Sequence, residues 1–184
     1  IQEHLASHGL KLQEGSIVDA SIISAPTSTK NKSGRRDPEM RQVKKGNEWH
    51  FGMKMHIGVD ESLGLIHSIT TTPASVHDIT QAEHLLHGEE VRVWGDAGYV
   101  GVEKRKEHED RHVQWLIAMR PGKRAQLAKK SAQAGAEKAK ASIRAKVEHA
   151  FSMIKQRFGY SKVRYRGLAK NTNRLYVLAG FANL

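Results

Sequence analysis

The amino-acid sequence predicts an α/β protein: a mixed sheet with helices packed against it. Three observations carry this: a strict two-residue period over residues 49–60, an amphipathic helical stripe over 142–158, and alternating strand and helix signals along the chain. At 184 residues, with 39% hydrophobic and 27% charged residues, the chain is long enough to bury a sizeable core and has an ordinary globular composition.

The elements follow in order. Residues 17–23 are a β-branched, apolar run with Asp19 inside it and Pro26 closing it, which reads as a strand. Residues 27–48 are polar and basic, with Arg35, Arg36, Arg41, Lys44 and Lys45, and read as a long basic loop or insertion. Next, Trp49, Phe51, Met53, Met55, Ile57 and Val59 alternate with His50, Gly52, Lys54, His56, Gly58 and Asp60, so this strand is expected to have one apolar and one polar face. A turn at 61–64 leads into a returning strand over 65–72. Residues 78–87 read as a short helix ended by Gly88, with Asp78 in a capping role; Asp78 is also a lesser candidate for the metal site described below. His50 and His56 share the polar face with Lys54 and are expected to be exposed or phosphate-facing rather than metal ligands.

A strand over 91–94 breaks at Gly95-Asp96-Ala97-Gly98, a helix is expected over 102–111, and a strand over 113–119 ends at Pro121-Gly122. Residues 120–141 turn to Ala, Lys, Gln and Gly, a second basic insertion or a marginal helix. In the helix at 142–158, Ile143, Val147, Ala150, Phe151, Ile154 and Phe158 fall within one arc of roughly 100°. The apolar run 175–181 reads as a buried terminal helix with Tyr176 in the core.

Charge narrows the function. Thirty Lys and Arg against nineteen Asp and Glu give +11 and a pI near 9.9, which fits a polyanionic partner and equally a solvated cationic surface. The absence of Cys excludes disulfides, thiolate zinc sites and cysteine nucleophiles, and suits a reducing cytoplasm. No apolar run approaches the ~18 residues that span a membrane.

Three carboxylates stand out. Asp19 sits inside an apolar strand, where an unpaired carboxylate is unfavourable, although an exposed edge would also accommodate it. Asp96 follows a strand among small residues, as a ligand site or an ordinary turn would. Glu148 is the one acidic residue from Lys138 to Leu184. On a helical wheel it clusters with Arg144 and Lys155 within about 40°, on the flank of the buried stripe. An i,i+4 pair with Arg144 would explain it as well. Together the three make an oxygen-rich set that suits Mg²⁺ or Mn²⁺. Two such ions can activate a nucleophile and stabilise the leaving oxygen of a phosphoryl displacement.

With these residues placed, the chain resembles the bacterial insertion-sequence transposases that carry a DDE triad on a ribonuclease-H-like fold. The resemblance runs from about Ser16 to Gly180. It rests on Val18-Asp19-Ala20-Ser21, on Trp94-Gly95-Asp96-Ala97-Gly98-Tyr99, and on Arg144-x3-Glu148-x6-Lys155. It implies Asp19, Asp96 and Glu148 as catalytic residues and ligands of two Mg²⁺ or Mn²⁺ ions, with Arg144 and Lys155 contacting DNA phosphates. The chain departs from the broader pattern at Ala141, where a Tyr often stands three residues before the Arg.

Arg157, Lys162, Arg164 and Arg166, interleaved with Tyr160 and Tyr165, extend the expected DNA contacts, as do Lys44 and Lys45. A tail packing its tyrosines on the core is the alternative reading of that stretch. The implied partners are double-stranded DNA, as transposon ends and target, and further copies of the chain when DNA is bound. The implied location is the bacterial cytoplasm at the nucleoid. The chain reads as a single catalytic domain over 1–184 lacking the family's helical end-recognition region; it begins at Ile1 without an initiator Met, as a fragment would. A ribonuclease-H-like nuclease without transposition, and a non-enzymatic basic DNA-binding remnant, are the competing functions.

Overall fold

The computed structural model describes residues 7, 14–28, 32 and 34–184. Strand β1 (Gly15–Ser24) lies at the centre of a six-stranded mixed sheet. It pairs antiparallel with β3 (Glu48–Asp60), in register Ser16↔Asp60 to Ser24↔Gly52, and parallel with β5 (Arg92–Gly95), in register Gly15↔Arg92 to Val18↔Gly95. Strand β6 (Gln114–Ile117) continues the parallel half beside β5. On β3, β4 (Ile66–Pro73) completes the hairpin expected from the sequence. Helix α1 (Pro121–Ala125) is short, α2 (Ala132–Ser152) is long, and α3 (Leu168–Ala182) closes the chain. This is the mixed α/β, ribonuclease-H-like architecture expected. Among the described residues no helix is long and apolar enough to cross a membrane.

The period of two explains the layering. On β1 and β5, Ile17 and Trp94 point into one cluster, with Met53, Met55, Ile57, Val147, Ile154 and Leu175. Their neighbours Val18 and Val93 point into another, with Ala82, Leu85, Tyr99 and Val102. Both faces of the central strands are therefore buried, as parallel strands require.

That burial overturns the polar face expected on β3. His56 and Asp60 are buried rather than solvated, and the His56 ring shares a 2.8 Å hydrogen bond with Thr72 Oγ1. Burial lowers its pKa to about 4, with Asp78 opposing and Lys54 adding to the shift. His50, half-buried, lies 3.9 Å from Glu48.

Further elements differ from the sequence reading. The basic stretch 27–48 contains strand β2 (Arg41–Lys45), paired with the first residues of β3 as Arg41↔Gly52 to Lys45↔Glu48; residues 29–31 and 33 lie outside the described residues. Only Val43 of β2 is even half-buried, so no alternation marked it. The helices expected at 78–87 and 102–111 are 3₁₀ segments, Asp78–Leu85, then Val102–Lys104 and Lys106–His108. The marginal helix is real: α2 starts at Ala132, where Ser131 Oγ accepts the Ala134 amide, ten residues ahead of the expected start. At its other end, Met153–Arg157 form a π-turn. This wider turn breaks the 3.6-residue register and leaves Phe158 36% exposed rather than in the buried stripe. Tyr176 is likewise 52% exposed; Leu175 and Leu178 face inward instead.

The C-terminal segment is anchored by polar bonds. Buried Asn171 accepts from the Tyr160 hydroxyl at 2.6 Å and donates to the Tyr165 and Gly167 carbonyls. Tyr160 is thus a core residue, whereas Tyr165 is 46% exposed.

Candidate active site

Asp19 and Asp96 come together because β1 and β5 run parallel. The register ends at Val18↔Gly95, so each aspartate is the next residue on neighbouring strands, whose spacing is roughly 4.8 Å. Asp19 is largely buried in β1 and its Oδ1 accepts the Ala20 amide at 2.7 Å. The nearest Arg144 nitrogen is 3.7 Å from its Oδ2. Burial first and then Asp96 raise its pKa, the Ala20 amide and Arg144 oppose, and Asp78 adds to the rise, for a value of about 6.

Asp96 stands at the carboxyl end of β5 and caps the 3₁₀ segment Ala97–Tyr99, its Oδ1 accepting the Gly98 amide at 2.8 Å. Gly98 is a crowded position. A Cβ there would lie 2.8 Å from Asp96 Oδ1 and 3.5 Å from Asp78 Oδ2. Two carboxylates thus converge on one small residue. Gly98→Ala is expected to push Asp96 aside and weaken divalent-metal binding by about ten- to a hundredfold, the scale of disturbing a ligand's support. Calorimetric titration of Mn²⁺ checks this, and unchanged affinity would refute it.

Asp78 does not cap its 3₁₀ segment, because His77 occupies the cap position and makes no side-chain cap bond. Instead its Oδ1 accepts from Lys54 Nζ at 2.8 Å and lies 3.7 Å from His56 Nδ1. Lys54 also donates to the Val76 carbonyl at 2.7 Å. Beneath the cluster, burial and then Asp19, Asp78 and Asp96 push the Tyr99 hydroxyl well above its ordinary value, so it stays protonated. Among the described residues that hydroxyl has no hydrogen-bond partner.

Arg144 and Glu148 are one turn apart on α2. Arg144 is half-buried and turned toward Asp19, so the i,i+4 pair with Glu148 does not form. Glu148 is exposed, with no hydrogen bond or ion pair among the described residues. No three His, Asp or Glu side chains among these residues are gathered tightly enough to ligate an ion as they stand.

Lys155, in the π-turn, donates to Ser21 Oγ at 2.8 Å, two residues along β1 from Asp19. Burial lowers its pKa, and Lys45 lowers it further. Arg157, Lys162, Arg164, Arg166, Lys44 and Lys45 are exposed. Lys162 forms an isolated parallel bridge with Ser24, which lays the basic stretch 162–166 against the end of β1.

The sequence motifs contained Asp19, Asp96 and Arg144. They missed Lys54 as the partner of Asp78, and Ser21 as the anchor of Lys155. Both contacts link positions far apart in the chain, and no local spacing signals them.

A family model, that of the transposase DDE domain, matches residues 11–184. The chain belongs to this family. The match spans nearly the whole sequence and includes every residue of the site above. No solved structure matches the chain. Within this transposase DDE domain, Asp19 lies inside β1, just past its parallel pairing with β5, and Asp96 directly follows β5.

Proposed function

We propose that the chain is the catalytic domain of a DNA transposase, which cuts and joins phosphodiester backbones at insertion-sequence ends through Asp19, Asp96 and Glu148. The observation that carries this reading is the Asp19 carboxylate, largely buried, beside Asp96, and with a pKa raised to about 6. Gathering like charges is unfavourable by itself and becomes favourable around a hard cation.

The donor set is all oxygen, which suits Mg²⁺ or Mn²⁺. Two such ions, when bound, would activate the attacking oxygen and stabilise the leaving one. Asp19 and Asp96 would hold them, with Glu148, exposed and without a hydrogen bond or ion pair among the described residues, as the third ligand. Arg144 orients Asp19 and offers its remaining donors to a phosphate oxygen. Lys155 and the exposed Arg157, Lys162, Arg164, Arg166, Lys44 and Lys45 neutralise the DNA backbone. The attacking group is water or a sugar hydroxyl, so no side-chain nucleophile is required. Double-stranded DNA ends and target are the substrates, held by paired copies of the chain.

The test is calorimetric titration of Mn²⁺ with a short duplex present, beside Asp19→Ala, Asp96→Ala and Glu148→Ala, followed by a strand-transfer assay. Wild type is expected to bind the ion and yield joined products; each substitution should abolish both. Metal binding indifferent to all three would sink the proposed site. Nicked but never joined DNA would indicate a ribonuclease-H-like nuclease, and salt-sensitive DNA binding with no metal dependence a DNA-binding remnant.

A further inference from the structure

The β2–β3 hairpin carries a surface that the triad does not explain. Its turn is tight, with Lys45 paired to Glu48 across Gly46 and Asn47, and Gly46 at φ +62°. Lys44 pairs directly with Trp49 across the two strands, so both side chains project from the same face. Trp49 is 66% exposed, although an indole is among the residues most favourably buried. Further along that face the Arg36 guanidinium sits 5.2 Å from the centre of the Phe51 ring.

Positive charge also lies beside the proposed metal ligands. Burial lowers the pKa of Lys155 and Lys45 lowers it further, as one cation does to another. Lys155 in turn is fixed to Ser21, and Arg144 lies beside Asp19. Arg144 and Lys155 therefore put positive charge beside Asp19, and Lys44 and Lys45 put it beside the exposed indole. The position of the indole is bounded. Asp19 pairs with Ile57, and Trp49 is eight residues from Ile57 on β3. At about 3.3 Å per residue the span is at most roughly 26 Å, the rise of about seven to eight base pairs.

We infer that the β2–β3 hairpin is a clamp on the substrate DNA, in which Lys44 and Lys45 hold the backbone and Trp49 packs against a sugar or base within about eight base pairs of the cut. This rests on the proposal that DNA is the substrate. The partner is nucleic acid because the exposed ring stands in a basic stretch: Arg35, Arg36, Arg41, Lys44 and Lys45 against Asp37, Glu39 and Glu48.

The experiment measures the affinity of wild type, Trp49→Ala, Trp49→Phe and the double variant Lys44→Ala/Lys45→Ala for a fluorescent 20-base-pair duplex by anisotropy, over a salt series. Iodide quenching of tryptophan emission is read with and without DNA, and sedimentation gives the oligomeric state. Trp49→Ala is expected to weaken binding about tenfold at unchanged salt slope, with Trp49→Phe restoring most of it. The double lysine variant should lower the salt slope by about two, and DNA should shield Trp49 from iodide. Equal affinity of Trp49→Ala and wild type, with no shielding, overturns the clamp while leaving the transposase reading in place. Unchanged DNA affinity with Trp49→Ala becoming monomeric overturns it in favour of a contact between copies. Wild type that binds no duplex overturns the reading of DNA as substrate, and the clamp with it.

Discussion

Replacing Asp19 by Asn is expected to stabilise the metal-free protein while destroying its activity. In the folded chain the Asp19 carboxyl titrates near pH 6 against an ordinary 3.8. Above pH 6 the fold must carry a charge that the unfolded chain carries more easily. Two units of difference correspond to about 3 kcal/mol. The side chain is 20% exposed, so a gain of about 1–3 kcal/mol is expected for the neutral amide at pH 7.5. Urea unfolding without divalent metal would measure it. The same variant should lose at least about a thousandfold in strand cleavage, the scale of removing a central electrostatic group. Added Mn²⁺ at a hundred times its dissociation constant should stabilise wild type by about 2.7 kcal/mol and leave the variant unmoved. An Asn variant less stable than wild type in the absence of metal would show that Asp19 serves the fold rather than the site.

A second large effect is expected in mild acid. His56 and His67 are kept neutral by burial, each with a pKa of about 4 against 6.5. His67 shares hydrogen bonds with Ser16 and Ser68 and stands edge-on to His87 at 5.1 Å. From pH 6.5 down to 4 the unfolded chain binds protons at these positions and the folded chain does not. Their contribution is complete above pH 6.5 and lost as pH falls toward 4, by up to about 3 kcal/mol each. His108, whose pKa burial also lowers, acts in the same direction.

Asp19 acts in the opposite direction, because the folded state takes its proton near pH 6, ahead of the unfolded chain. Between pH 6 and 5 at least two histidines oppose one carboxyl, so stability should fall with pH by at least about 1.4 kcal/mol per unit. His67→Gln should reduce that slope by about one proton, and Asp19→Asn should steepen it by about one. Urea midpoints at several pH values would read both changes, and a slope indifferent to His67→Gln would refute the assignment.

These effects also show which features the sequence made legible. Strands β1, β3, β4, β5 and β6 were readable because burial on a pleated sheet imposes a period of two or a short apolar run. Strand β2 was not, since an exposed edge strand of Arg, Gln, Val, Lys and Lys leaves no hydrophobic signature. The 3₁₀ segments look like α-helices in sequence because apolar spacings of three and four serve both. Phe158 was misplaced because a π-turn shifts the wheel without any marker residue.

For the site, position in the chain marked Asp19 and Asp96 as unusual, but only the β1–β5 pairing makes them neighbours. His56 was read as exposed because its alternation is genuine; what covers that face comes from residues 78–85, far along the sequence. Asp78 illustrates the general limit. Locally it has every feature of a cap, while its partner Lys54 lies on a strand 24 residues earlier.

The parallel pairing of β1 with β5 also governs the order in which the protein can mature. Ser16 meets Val93 across 77 residues, and the entire β3–β4 hairpin must be laid down between them. Local hairpins close in microseconds, whereas such distant parallel pairing is slow. On a ribosome adding 5–20 residues per second, Asp19 emerges several seconds before Asp96, and Arg144 and Glu148 follow later still. A nascent or prematurely terminated chain therefore holds isolated carboxylates on an incomplete sheet. Nucleolytic chemistry of the kind proposed would be withheld from every translation product that ends before α2.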